Sequence, residues 1–131
     1  MNDESIPDVE KLVNHWRDGA LESWKDALHL IKGKRIMLGL FAAHLALEKA
    51  IKAHVIRKTG KLPPKIHNLI RLSEIAELEI SSEHKKVLSE INEFNIEGRY
   101  ADVRLPSVTK KDADYYMKRA KGTLEWLISQ L

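Results

Sequence analysis

The stretch from Lys34 to Thr59 constrains this chain more than any other. It contains no proline, and its apolar residues do not keep to one side. At 100° per residue Leu40, Leu47, Ile51 and Val55 fall on one line, while Phe41, Leu45 and Ile56 carry apolar surface round to another. Such a helix must be covered on more than one face, as the centre of a bundle or as an element shared with a second copy. Sustained alternation of β-branched and polar residues, the signature of strands, occurs nowhere in the sequence. The expected fold class is all-α: an antiparallel up-and-down bundle of five helices, four of them long.

The flanking segments supply the covers. Val9, Val13, Trp16, Ala20, Trp24, Ala27, Leu28 and Ile31 recur at intervals of three and four, a stripe opened by Pro7-Asp8 and closed at Gly33. Thr59-Gly60 ends the second helix. Lys61-Leu62-Pro63-Pro64-Lys65 cannot prolong it, because proline lacks the N–H and restricts the residue before it. A short helix is expected over Asn68 to Glu77, with His67 a candidate cap. A fourth should run from Glu83 to Glu97, capped by Ser81 or Ser82 and stopped by Gly98. Residues 99–108 hold neither period and include Pro106, after which Thr109-Lys110-Lys111-Asp112 opens a last helix to about Ser129. The organisation is a short polar segment, 1–7, before a single domain over 8–131.

The net charge of +3 hides a segregation. From Lys32 to Arg71 ten basic residues stand against one acid, Glu48. Residues 1–31 carry three basic and seven acidic side chains, and residues 72–98 carry two and seven. Folding can gather the basic middle into one face for a phosphate-rich ligand, or neutralise it against its acidic neighbours. The absence of cysteine excludes disulfides and thiolate metal sites, and the Glu-x-x-His units of a di-iron bundle are missing, so no metal or other cofactor is expected. No apolar run approaches the length that spans a bilayer and the first residues are acidic and polar, which makes a cytoplasmic protein the expectation.

Several residues carry candidate chemistry. The Arg99 guanidinium can hold a phosphate through two parallel hydrogen bonds, or can pair with Glu97 or Asp102 to fix its own loop. Tyr100 can stack on a base or anchor the loop. Glu48 and Lys52 have the favourable i to i+4 order for a helix ion pair, worth a few tenths of a kcal/mol if exposed, while Lys49 or Lys52 could instead reach phosphate. His44 falls within the Leu40, Leu47, Ile51 stripe, where a hydrogen-bonded core histidine is the expectation.

FAAHLALEKAIKAHVIRKTGKLPP (Phe41 to Pro64), IHNLIRL (Ile66 to Leu72) and EGRYAD (Glu97 to Asp102), in this order between a first helix with Trp16 and Ala20 and a last helix, resemble the HEPN family. The family's helix commonly has a polar residue, then Ala-x-Glu-Lys and a further Lys-Ala. These are matched by His44, Ala46-Leu47-Glu48-Lys49 and Lys52-Ala53. His67-Asn68-Leu69 matches the opening of its short helix, and Arg99-Tyr100 an Arg-Tyr pair. The resemblance implies a bundle that often dimerises, nucleotide or RNA binding, and pairing with a small nucleotidyltransferase-domain protein, at times as toxin and antitoxin. It points to Arg99, Tyr100, Asp102, Lys49, Lys52 and His67 as binding residues, with His44 and Glu48 in support. Several branches are metal-independent ribonucleases marked by an Arg followed, after four to six residues, by a His, a spacing no Arg of this chain has. One rival reading is an RNA endonuclease using Arg99 and a histidine brought close by folding, His67 or His44. Another is an interaction module whose exposed apolar residues, such as Leu45, Ile56 or Trp126, mark a partner surface.

Overall fold

The computed structural model describes residues 8–96 and 108–131. Among them are five helices and no sheet: α1 (Val9–Lys32), α2 (Ile36–Thr59), α3 (Leu69–Ile75), α4 (Ser82–Asn92) and α5 (Lys110–Ser129). Four helix starts are set by a side chain that accepts an otherwise orphaned N–H: Asp8 from Lys11, Asn68 from Arg71, Ser81 from His84 and Thr109 from Asp112. The cap of α3 is thus Asn68 rather than His67, whose ring is engaged elsewhere. Gly33 closes α1 as its position suggests, but with a φ of −82°. The left-handed residue of the turn is Lys34, at φ 64°.

α1 and α2 form an antiparallel hairpin, with Glu10 meeting Arg57, Trp16 over Lys52, Ser23 against Lys49 and Ile31 against Gly39. α4 runs antiparallel to α5, Glu90 reaching Arg119 and His84 reaching Thr123. α2 and α5 run parallel: His54 Nε2 donates to the Leu127 carbonyl near the C-terminal ends of both, and Leu131 packs there on Val13, Ala53 and Ile56. In chain order the long helices therefore run up, down, up, down, with α2 at the centre. Five alanines, Ala42, Ala43, Ala46, Ala50 and Ala53, let α2 be buried on all sides.

Three further expectations need correction. Ile56 is fully buried against Val13 and Ala53, so it marks no partner surface. Leu28 is 50% exposed, because it lies about 70° round α1 from the line of Val13, Ala20, Trp24, Ala27 and Ile31 at 100° per residue. α4 stops at Asn92, not at Glu97. Asn92 spends its side chain on the start of α3, accepting from Leu69 N and donating to Asn68, and the chain then turns Phe94 inward onto Tyr116.

Candidate functional site

Glu48 is the one acid of the basic middle, and α2 carries it into the interior with its side chain 7% exposed. Its two oxygens are both engaged. Oε2 accepts from Lys52 Nζ, one turn on, at 3.0 Å, and Oε1 accepts from His67 Nδ1 at 3.0 Å. The ion pair anticipated from the i to i+4 spacing is therefore present but buried, with Trp16 of α1 stacked 5.7 Å from the Lys52 ammonium.

His67 reaches this carboxylate because of the loop before it. Pro63 and Pro64 hold the backbone extended, and seven residues from Gly60 can span roughly 23 Å. That suffices for a return of roughly 18 Å from the end of α2 to the level of Glu48. The loop is tied down a second time where His44 Nε2 donates to the His67 carbonyl at 3.0 Å. This bond puts the His44 proton on Nε2 and leaves Nδ1, without a partner among the described residues, 3.8 Å from Glu48 Oε1. Burial pushes the pKa of His44 below its ordinary value, against the opposing pull of the Glu48 charge, so the ring is neutral.

The result is a chain of contacts from the interior outward, Lys52 to Glu48 to His67, whose side chain is 37% exposed. A carboxylate on Nδ1 fixes a hydrogen there and turns Nε2 to the opposite edge, as an acceptor for a hydroxyl in the neutral ring and a donor to a phosphate in the imidazolium. Lys49 faces elsewhere. Its Nζ donates to the buried Ser23 hydroxyl at 2.8 Å, and its stem crosses Gly19, where a Cβ would lie 3.4 Å from Lys49 Cδ. The structure thus joins Glu48, Lys52, His44 and His67 in one cluster and places Lys49 beside it, while Arg99, Tyr100 and Asp102 lie outside the described residues. Trp16 and Ser23 complete the surroundings from α1. The periodicity of α1 was legible, but only the α1–α2 register shows which lysine each of the two meets.

The basic middle does not form one face. α2 is about 36 Å long at 24 residues, so Lys32, Lys34 and Arg35 are separated by its length from Lys61 and Lys65. Between these groups Arg57 pairs with Glu10, Lys58 with Glu77 and Arg71 with Glu74. The group nearer in sequence to His67 is Lys61 and Lys65, both exposed.

An up-and-down helical bundle with a buried acid clamped between a lysine and a loop histidine defines the class of this protein. Its family follows from comparison: the HEPN domain matches residues 13–131, and the chain belongs to the HEPN family. The fold is similar to that of ST0689, an archaeal HEPN homologue, at 19% identity over 90% of this chain and 96% of that one, with a TM-score of 0.70. It is also similar to TT1696 from Thermus thermophilus, at 19% identity over 91% and 98%, with a TM-score of 0.75. No curated protein matches the sequence. Among the described residues no helix is long and apolar enough to cross a membrane.

Proposed function

We propose that this HEPN chain is a cytoplasmic nucleotide- or RNA-binding subunit that forms a homodimer and works with a nucleotidyltransferase-domain partner, in the manner of a toxin–antitoxin pair. The observation that carries the binding reading is His67, held at the surface by a buried carboxylate in the segment that bears Lys61 and Lys65. A fixed imidazole in a segment that carries exposed cations suits a phosphate-bearing ligand, with electrostatic attraction from the lysines and an oriented contact from the ring. Arg99, Tyr100 and Asp102 are the further ligand contacts in this proposal, on the strength of the family resemblance. Lys52 and Lys49 act from behind, since each ammonium is engaged inward on Glu48 or Ser23.

The test is equilibrium binding of labelled single-stranded RNA and of a nucleotide across a salt series, with chelator present, for wild type, Arg99→Ala and His67→Ala. Affinity should fall with salt, by a log–log slope of about 0.7 per phosphate contacted. Each substitution should weaken binding about tenfold, the loss of one charge-assisted hydrogen bond. Unchanged affinity in both variants would overturn the site. Affinity indifferent to salt and nucleotide would make the chain a protein-interaction module.

The Glu48–His67 contact also favours a second reading, a metal-independent RNA endonuclease in which His67 takes the proton of a ribose hydroxyl and Arg99 steadies the phosphate. Product fragments that survive chelation in the same lanes and vanish in both variants would establish it.

A further inference from the structure

Gly122 lies in the interior of α5 with nothing to explain it from within the protein. Its φ is not positive, and a Cβ built there would meet nothing within 4 Å among the described residues. Glycine weakens a helix interior relative to alanine, so neither backbone geometry nor internal packing favours it here. With no side chain there, the exposed Gly122 leaves open one part of a groove between α4 and α5, about 430 Å³ in volume and mostly apolar, whose lining also includes Val87 and the Glu83 carboxylate.

Two rings line it, His84 and Tyr115. On one side His84 stacks on Trp126, centroids 4.9 Å apart and planes 22° from parallel. On the other is Tyr115, 53% exposed, with the Arg119 guanidinium 5.1 Å from its ring centre. Arg119 is already spent: Glu83 lies 2.9 Å and Glu90 3.2 Å from its nitrogens. Two other donors are not. Lys118 is exposed at the groove and forms no ion pair among the described residues. The His84 Nδ1 lies 2.8 Å from the hydroxyl of buried Thr123, which has no other acceptor among the described residues. The hydroxyl therefore donates to Nδ1, and the ring presents Nε2–H as a donor. A mostly apolar groove, two lining rings and two unspent donors match a flat ring with a negative group at its edge.

We propose that the α4–α5 groove is a binding site for a planar aromatic group carrying an anion, with Lys118 and His84 holding the anion and the ring lying over Gly122. This site is separate from the His67 cluster and stands whether or not that cluster binds RNA. The source of the anion is either a phosphate, as in a nucleotide, or a carboxylate, as in a small aromatic acid.

The experiment is an amide and side-chain NMR titration of the full chain with AMP, with salicylate and with ribose 5-phosphate. Saturable shifts confined to Gly122, His84, Tyr115 and Lys118 are expected with one or both aromatic probes, and which probe saturates first assigns the source. Gly122→Leu, which fills the groove and should raise the melting temperature, is expected to weaken binding at least tenfold. Lys118→Ala should weaken the binding of AMP and of salicylate several-fold. No saturable shift with either aromatic probe would overturn the proposal. So would equal binding of ribose 5-phosphate, or undiminished affinity in Gly122→Leu. Because Arg99→Ala and His67→Ala should leave these shifts in place, failure here and failure of the RNA-binding reading are told apart.

Discussion

At Glu48 a spacing that looks ordinary in sequence acquires a different energetic meaning once folded. An exposed Glu–Lys pair at i and i+4 contributes a few tenths of a kcal/mol, but here both side chains are 7% exposed and a histidine from another element shares the carboxylate. Removing the charge on one side leaves the Lys52 ammonium buried without its counter-ion. Glu48→Gln should therefore cost about 3 kcal/mol in urea denaturation. The double change Glu48→Leu with Lys52→Met should recover most of that loss, since an apolar pair of similar volume needs no compensation. If the single variant cost no more than a surface substitution, the buried pair would not hold the loop. The i to i+4 pairing was legible in the sequence. Its burial was not, because burial depends on Trp16 and His67 arriving from α1 and the proline loop.

At the scale of elements, the α1–α2 hairpin depends on a close approach at its closed end. A Cβ on Gly39 would lie 2.5 Å from Ile31 Cδ1, 2.7 Å from its Cγ1 and 3.2 Å from its backbone nitrogen, too near for the tip of the side chain alone to relieve. Gly39→Ala should destabilise by about 1–3 kcal/mol despite the better helix propensity of alanine. Thermal melts in an Ile31→Ala background should show a smaller penalty, because the clash partner is gone. The starts of α1, α4 and α5 were readable from Asp8, Ser81 and Thr109, whose caps are local chemistry, while α3 is capped by Asn68, one residue past the expected His67. The end of α4 was not, because it is set by Asn92 bonding to the start of α3, a contact 23 residues distant in sequence.

Across the whole molecule, two buried histidines tie the central helix to its neighbours, His44 to the loop and His54 to the end of α5. Burial pushes both pKa values down from 6.5, against the charge of Glu48 at His44 and reinforced by Arg57 at His54. In the unfolded chain both take up protons near 6.5, while in the folded chain they resist until lower pH. Their contribution to stability is therefore full above about 6.5 and is lost as pH falls towards the folded values. The urea midpoint should be lower at pH 5 than at pH 7.5, and His44→Gln combined with His54→Gln should flatten that slope. A midpoint that rose on acidification would contradict the assignment.

The fold class and three of the helix caps follow from the sequence alone, since periodicity and capping act over a few residues and hydrophobic burial needs only the stripes to be satisfied. The family was also legible there, in the order of short motifs along the chain. Which lysines face inward, which histidine is presented at the surface, and whether the basic middle makes one face were decided only by tertiary structure. These are distances between side chains on different elements. Helix length separates the two cationic groups, while helix register and the extended proline loop bring His67 to a carboxylate that in sequence stands among its opposites.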